Sequence, residues 1–528
     1  MSHTRRLLIA TAIVLALLAS ACGSDDDDSA APDTTGSETT EGDAGEDGAT
    51  ERGDTLTVAA LAPVTNGLSA AAAEVANRTL YYQALYDPLL RAEPDGTLTP
   101  WLATEWSYND DNTVLTLTLR DDVTFTNGDP LDADAVVENL LRFRDGPSPN
   151  ANNLAAMTDA TAPDATTVEI QLSEADPALL NYLAESAGYI QSPADFGTDA
   201  EDSNPTGSGP YILDVDDTVA DSVYTYDANP DYWAPEYINY DELVIRVIED
   251  ATATVNAIRA GEIDAGTLIT NDLISEVESV GWDIHPQELD WIGLTLVDRD
   301  GSMGSPLDDV RVRRALNHAF DRDAILEGIE FGYGTVTTQV FPPASPGFDE
   351  ALDDLYPYDP ELARELLAEA GYEDGFSLEM PSAAAFGEAY FAVIGDALAE
   401  IGVDVTFTDE STDYFAAILA PNYPAYLMIL GQTPNDWQYI NRVISENATW
   451  NPSGYTDETV SELVPQIRTA SDDERDDLVA ELGAHVTEDA WFVPWYRAQS
   501  TYATSDSVDV ELQTGNNTPY LFSFSPQG

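Results

Sequence analysis

The sequence predicts an α/β fold for the region beyond residue 53. Strand-like alternation marks its first half, and helices followed by glycine and then a strand mark its second half, an order typical of α/β domains. Hydrophobic residues make up 43% of the 528 residues and aromatic residues 9%, so the chain has enough apolar material for a core. The length indicates about three domains, or two large ones, at roughly 150 residues each.

The first half of this region reads mainly as strands. Residues 56–58 are expected to form the first strand, and residues 114–119 alternate apolar residues with Thr, as a half-buried strand does. Residues 127–130 contain Gly and Pro in the pattern of a tight turn. Asp132 is then expected to cap a helix, because its carboxylate can accept a free backbone N–H of the first turn.

The second half reads as helices with clear start and stop signals. Asp309 precedes an apolar stripe with helical spacing, and Asp359 is followed by Pro at the first helical position. Residues 389–401 predict another amphipathic helix that stops at Gly402. Residues 403–407 then alternate as a strand.

The charge balance excludes several classes of partner. The chain has 97 acidic and 20 basic residues and a formal net charge of −77, and every basic residue is Arg. Nucleic acids and anionic membranes are bound through clustered cations, so we expect neither as a general partner. The acidity is compatible with a salt-loving source or with a genome that avoids lysine, and the sequence does not separate these.

The N-terminal residues have the pattern of a bacterial lipoprotein. Arg5 and Arg6 precede an apolar stretch at 7–18, and small residues at 19–21 precede Cys22, the single cysteine of the chain. The stretch is too short to span a bilayer permanently. We predict a signal peptide over residues 1–21, lipidation of Cys22 and attachment to the extracytoplasmic side of the cell membrane. The alternative is a plain secretory signal with a coincidental cysteine.

Residues 22–53 predict a disordered acidic tether. They are dominated by Gly, Ser, Thr, Ala and acidic residues and contain no aromatic or large aliphatic side chain. Such a segment cannot bury enough apolar surface to fold. Cys22, the single cysteine, lies at the start of this segment. We therefore expect no disulfide, cysteine-ligated zinc or thiol catalysis in the folded part.

The sequence contains no catalytic signature. It has no nucleophile elbow, zinc-protease histidine pair, phosphate loop or dinucleotide fingerprint. His285, His318 and His485 are far apart and are interpreted as surface or structural residues. We therefore predict no catalytic residue, no metal ligand and no cofactor.

Eight short sequence motifs follow one another along the folded region. They are YDPLL at 86–90, LRDDVTF at 119–125, PTGSGPY at 205–211, NPDYW at 229–233, GEID at 261–264, DVRVRRAL at 309–316, YDP at 358–360 and LLAEAGY at 366–372. In this order they resemble the family 5 extracytoplasmic solute-binding proteins, the peptide and nickel binders of ATP-driven importers. The resemblance covers about residues 54–500.

The resemblance implies a two-lobed clamp of the periplasmic-binding-protein type II class, with an extra domain inserted in its first lobe. The implied parts are lobe I at 54–90, 196–287 and 490–528, the inserted domain at 91–195, and lobe II at 288–489. Two crossings near Trp291 and Trp491 would join the lobes and let them close on a ligand.

The same resemblance implies a function without chemistry. A monomeric receptor, held at the membrane by its N-terminal lipid, would capture a small solute and hand it to the permease of an ABC importer. A peptide is the favoured solute, and a sugar, an opine or a metal chelate stays open. A secreted hydrolase and a surface adhesion module are the alternatives from other classes.

The resemblance also suggests ligand contacts. Peptide-binding relatives place an Asp in a segment like residues 430–437, where it pairs with the ligand's amino terminus, and Asp436 is the nearest match. Its neighbours Asn435 and Trp437 are further candidates. Trp437 and Trp291 could form a wall by stacking or cation–π contact, or belong to the core. Asn66, just after the first strand, is the last candidate.

Overall fold

The computed structural model describes residues 52–527, apart from the side chains at 472 and 473. The predicted signal peptide, Cys22 and the tether up to residue 51 lie outside the described residues. Within the described part, no helix has the length and apolarity that crossing a membrane requires.

The described residues contain nineteen strands. Their bounds are β1 Gly53–Ala60, β2 Leu90–Ala92, β3 Leu98–Pro100, β4 Ala103–Tyr108, β5 Val114–Leu119, β6 Met157–Asp164, β7 Thr167–Leu172, β8 Tyr211–Val219, β9 Val223–Ala228, β10 Tyr240–Val247, β11 Ala265–Leu268, β12 Asp283–Leu296, β13 Gly334–Val336, β14 Phe376–Ser382, β15 Val403–Asp409, β16 Ala425–Gly431, β17 Phe492–Thr504, β18 Val508–Val510 and β19 Phe524–Pro526.

Fourteen α-helices accompany these strands in the described residues. Their bounds are α1 Thr79–Gln83, α2 Ala133–Arg144, α3 Leu179–Leu183, α4 Ala200–Ser203, α5 Ala251–Ala260, α6 Ile274–Glu278, α7 Val310–His318, α8 Arg322–Glu330, α9 Pro360–Glu369, α10 Glu388–Glu400, α11 Tyr414–Leu419, α12 Asp436–Tyr439, α13 Glu458–Thr469 and α14 Asp472–Glu488.

A nine-stranded mixed sheet runs through the molecule. Its order is β16-β12-β17-β11-β1-β10-β9-β8, and β13 pairs with β17 at the side. The long antiparallel strands β12 and β17 pair from Asp283 opposite Thr504 to Thr295 opposite Phe492. They connect the strands of the first half to β16. The predicted crossings lie on or beside these two strands, while the lobe boundaries stay a prediction.

A separate four-stranded antiparallel sheet has the order β4-β5-β7-β6. It falls within the segment predicted as an inserted domain. Its central strands β5 and β7 alternate buried residues with more exposed ones, and α2 covers the sheet by packing on β6 and β7. A further core surrounds the parallel pair β14 and β15 and the helices α7, α9 and α10.

The local structure agrees with the prediction where a helix cap, a glycine or strand alternation determines it. Strand β5 has the predicted bounds. The carboxylates of Asp132, Asp309 and Asp359 each accept a first-turn backbone N–H, from Ala135, Arg311 and Leu362 at 2.9–3.0 Å. Gly402, after α10, has a φ of 90°, which favours glycine.

The Asp87 carboxylate joins several of the sequence phrases in the interior. It is buried and accepts hydrogen bonds from the indole N–H groups of Trp101 and Trp233 at 2.8 and 2.9 Å, and from the hydroxyls of Ser208 and Tyr232, each at 2.8 Å. Burial raises the pKa of Asp87, and the four hydrogen bonds oppose this effect. The phrases at 86–90, 205–211 and 229–233 are therefore structural.

Replacing Asp87 with Ala is expected to lower the free energy of unfolding by at least about 3 kcal/mol, because a buried donor without a partner costs about 1–3 kcal/mol. Urea unfolding at neutral pH measures the loss. The matched control is Asp110→Ala, which removes an exposed acid. Equal stability of the two variants would show that the four donors find other partners.

Candidate ligand-binding site

The segment after β16 carries three of the predicted contacts. The side-chain oxygen of Asn435 accepts the backbone N–H of Trp437 at 2.9 Å and so caps α12. The helix continues as one π-helical turn, Ile440–Ile444, a geometry frequent at functional sites. The cap determines the direction in which Asp436 and Trp437 leave the backbone.

Asp436 is partly buried, and its carboxylate accepts a hydrogen bond from the Ser345 hydroxyl at 2.5 Å. Burial raises its pKa, the hydrogen bond from Ser345 opposes this, and the negative charge of Asp476 adds to the rise. A carboxylate has about four acceptor sites, so one hydrogen bond leaves room for a ligand ammonium. The arrangement is chemically suited to pairing with an amine.

The two predicted tryptophans are packed into protein. Trp437 is 3% exposed, and the Arg468 guanidinium lies 5.4 Å from its ring. Trp291 is 1% exposed, donates its indole N–H to the Tyr439 hydroxyl at 2.7 Å, and meets the Phe492 ring edge-on at 5.5 Å. Trp291 therefore packs against α12 through its hydrogen bond to Tyr439.

The two predicted asparagines lie in different places. The Asn435 amide donates to Asn181 at 3.2 Å, which links α12 to α3. Asn66 is exposed, and its amide donates to the Pro147 carbonyl at 3.3 Å. In the described part of the chain, no hydrogen bond or ion pair joins Asn66 to the segment of Asp436.

Two surfaces far apart in sequence face each other at this point. The Arg468 guanidinium forms an ion pair with Glu174, and the Asn435–Asn181 hydrogen bond lies on the same surfaces. One surface belongs to the predicted inserted domain and the other to predicted lobe II. We call the space between residues 174–189 and 431–468 the interlobe cleft.

Three charged residues at the cleft were not predicted. Burial raises the pKa of Glu185 to about 7 and raises that of Asp290, while burial lowers the pKa of Arg442. Arg442 donates to the Gly431 carbonyl, and its charge opposes the rise at Asp290. Among the described residues, no hydrogen bond or ion pair reaches the carboxylate of Glu185 or Asp290. The chain has 97 acidic residues, and no local sequence pattern distinguishes Glu185 or Asp290 from the others.

One His-containing cluster in the described residues has metal-like spacing. The ligand atoms of Asp457, His485 and Asp489 lie within 4.8 Å of one another. The His485 ring nitrogen already bonds Asp457 at 2.7 Å, and the Arg313 guanidinium bonds Asp489 at 2.6 Å. The arginine charge competes with a cation, so we assign no metal to this cluster.

Comparison with known proteins decides the family. Residues 97–451 match the bacterial extracellular solute-binding proteins, family 5 Middle. The chain belongs to family 5 of these proteins. The resemblance predicted from the eight phrases is confirmed.

One curated relative is heme-binding protein A of Haemophilus influenzae, which is 31% identical in a match covering 56% of this chain and 58% of that protein. The family 5 chain thus spans little more than half the length of this relative.

Solved structures show the fold. NikA of Brucella suis in complex with Fe(III)-EDTA has a TM-score of 0.77 at 22% identity, over 90% of this chain and 100% of that chain. Helicobacter pylori DppA in complex with the peptide STSA has a TM-score of 0.73 at 22% identity, over 90% and 99%. The predicted two-lobed type II periplasmic-binding-protein fold is confirmed.

Glu185→Gln is expected to raise the melting temperature more at pH 8 than at pH 5. The pKa of Glu185 rises from about 4.5 in the unfolded chain to about 7 in the folded protein. The wild type therefore loses stability as the pH rises from about 4.5 to 7, and the neutral amide does not. Thermal unfolding followed by circular dichroism at pH 5 and pH 8 measures the melting temperatures of the wild type and of Glu185→Gln.

The matched control is Glu138→Gln, which changes an exposed glutamate. A melting-temperature difference between Glu185→Gln and wild type that stays the same from pH 5 to pH 8 would contradict the raised pKa.

Proposed function

We propose that this family 5 protein is the extracytoplasmic substrate-binding lipoprotein of an ABC importer. It captures a small solute in the interlobe cleft, closes its lobes over it and delivers it unchanged to the membrane permease. The observation that carries this proposal is the direct contact between residues 174–189 and 431–468, beside the carboxylates of Glu185 and Asp290, which have no hydrogen bond or ion pair within the described part of the chain. Closure over such groups removes water and strengthens their hydrogen bonds to a ligand.

A peptide is the favoured solute. Asp436 offers a partly buried carboxylate with remaining acceptor sites, and Asn435 and Trp437 border it. Peptides carry an ammonium terminus that such a carboxylate can bind. A protein of similar fold was solved with a bound peptide, which supports this choice.

The remaining parts of the proposal come from the N-terminal sequence and the family. Cys22 would carry the lipid, the predicted tether would end before β1, which begins at Gly53, and the folded part would work as a monomer on the extracytoplasmic side of the cell membrane. The lobes would have the bounds predicted from the sequence. Permease subunits of the importer would be its protein partners.

Retention of intact peptides tests the proposed function. Native mass spectrometry of the protein incubated with a digest of di- to pentapeptides is expected to show bound, uncleaved species. Calorimetry with a retained peptide is then expected to show that Asp436→Asn weakens binding by at least about 1.5 kcal/mol, the scale of a charged hydrogen bond.

The matched control for this substitution is Asp404→Asn, an exposed acid on β15. Unchanged affinity of Asp436→Asn would remove Asp436 from the site. Release of cleaved products would favour a hydrolase, and the absence of any retained peptide would contradict the peptide as the solute.

Cys22→Ser is expected to move the protein from the membrane fraction to the medium or periplasm, because the lipid attachment atom is lost. Immunoblots of fractionated cells measure this distribution. Ser24→Ala, close to the cysteine in the same segment, is the control. Membrane attachment of the Cys22→Ser protein would contradict lipidation.

A further inference from the structure

A pocket lies where predicted lobe I meets the predicted inserted domain. Its walls come from β2 and the segment leading into it, from the loop between β9 and β10, and from the C-terminal residues 520–522. It contains about 510 Å³ of space and is partly open to solvent. Ala184 reaches it from the inserted-domain side, but in the described part of the chain no residue of 431–468 does. The pocket is therefore separate from the interlobe cleft.

Aromatic side chains form much of the pocket lining. The Trp101 and Tyr237 rings meet edge-on at 5.0 Å, and the Tyr520 and Phe522 rings stack at 5.2 Å. The Tyr237 ring also meets the Phe522 ring edge-on at 6.3 Å. These contacts join separate parts of the chain into one aromatic wall, which suits a flat ring as a ligand. The aromatic lining residues are Tyr86, Trp101, Tyr232, Tyr237, Tyr520 and Phe522.

Arg91 lines this pocket and has one unused hydrogen-bond donor. Its side chain is 15% exposed, and its Nε and Nη2 both donate to the Glu93 carboxylate. Its Nη1 is buried and has no acceptor among the described residues. Burial lowers the pKa of Arg91, but Glu93 and the Tyr237 phenol raise it by more, so the guanidinium keeps its charge. A buried donor without an acceptor destabilises a folded protein.

The position of the guanidinium is fixed by its neighbours. Its central carbon lies 4.9 Å from the centre of the Trp101 ring, 4.5 Å from that of Tyr237 and 4.9 Å from that of Phe522. Glu93 holds two of the three nitrogens. Because the group cannot turn towards another protein acceptor, Nη1 is left to bond a molecule that enters the pocket from solvent.

The charges around the pocket favour a neutral ligand over an anion. Glu93 already pairs with Arg91, and the Asp87 carboxylate also lines the pocket, with four donors bound to it. The net charge of −77 adds repulsion for an anion. An uncharged carbonyl oxygen can accept from Nη1 without this repulsion. A mostly apolar pocket with one such polar group is typical of sites for small molecules.

We propose that this pocket is a second binding site and takes a small neutral molecule in which an aromatic ring carries a carbonyl group. The ring packs on the aromatic wall, and the carbonyl oxygen accepts the Nη1 hydrogen of Arg91. This inference goes beyond the proposed function, because the site lies outside the interlobe cleft and requires neither lobe closure nor a peptide.

The test compares acetophenone with α-methylstyrene, in which a CH2 group replaces the carbonyl oxygen. Saturation-transfer NMR measures the Kd of both probes for the wild type and for Arg91→Met, which keeps an apolar side chain but has no donor. Glu93 keeps the Thr99 hydroxyl as a donor in this variant. The ratio of the two Kd values is expected to shift by at least about tenfold against acetophenone in Arg91→Met, the scale of a hydrogen bond to a charged group.

An unchanged ratio in Arg91→Met would overturn the proposal. Failure of the wild type to bind acetophenone would also overturn it, since water alone would then complete the hydrogen bonds of Arg91.

The matched control is Arg120→Met. Like Arg91, Arg120 pairs with the acid two residues later, Asp122, and its guanidinium carbon lies 3.6 Å from the centre of an aromatic ring, that of Trp233. Arg120 does not line the pocket in the described chain, so this variant should keep the wild-type ratio. Asp436→Asn should keep it as well. Loss of acetophenone binding in Asp436→Asn would place the probe in the interlobe cleft and overturn the proposal.

A pocket-filling variant keeps the proposal falsifiable if Arg91→Met does not fold. Ala184→Met leaves Arg91 intact and extends a longer side chain from the pocket wall. It is expected to weaken acetophenone binding at least about tenfold, because the ring loses its place. Circular dichroism establishes that each variant is folded. Undiminished binding in folded Ala184→Met would show that acetophenone binds elsewhere and would overturn the proposal.

Benzoate tests the preference for a neutral ligand. It has the same ring and an oxygen acceptor but carries a negative charge, so it is expected to bind at least about threefold more weakly than acetophenone. Tighter binding of benzoate would overturn the neutral class. Peptide retention is measured separately on the same protein. Binding of acetophenone without retention of any peptide would keep this inference and contradict the peptide as the solute.

Discussion

The antiparallel pairing of β12 with β17 is the interaction on which the rest of the structure depends. In the main sheet, as far as the structure describes the chain, β12 and β17 are the two strands that link β11 to β16. The pairing has register shifts between Glu288 and Asp290 and between Ile292 and Gly293. Such bulges bend a strand and redirect its side chains. Here they lie beside Asp290, at the cleft.

The close approach of the two strands restricts what can replace Gly293. A Cβ atom at this position would lie 2.1 Å from the Val493 carbonyl oxygen. The backbone contact therefore excludes larger residues where the sheet changes register.

The distribution of cations explains the electrostatics of the cleft. Buried arginines are bound to scaffold oxygens: Arg322 donates to the carbonyls of Pro494, Asn317 and Tyr356, and Arg299 donates to the Asn451 side chain. Burial lowers the pKa of both guanidinium groups. Because the chain has only 20 basic residues and several of them are used in this way, few cations remain to pair with the 97 acids.

The fold does not determine the ligand, because related clamps hold different solutes in the same architecture. Structures of similar fold were solved with Fe(III)-EDTA and with a peptide. In this chain the Asp436 carboxylate bonds the Ser345 hydroxyl on one of the facing surfaces, and Glu185 belongs to the other.

The sequence by itself determined the family, the α/β class and the local elements. Caps such as Asp132, stops such as Gly402 and the alternation in β5 act over a few residues, so their geometry can be read from neighbours in the chain. It also pointed to the segment of Asn435, Asp436 and Trp437, whose order resembles that of relatives. The tertiary structure alone decided that Asp436 bonds Ser345 and that Trp291 is buried beside Tyr439. It also decided that no hydrogen bond or ion pair among the described residues reaches Glu185. Burial and the presence or absence of a partner are properties of groups brought together from distant positions, and no local pattern among 97 acids encodes them.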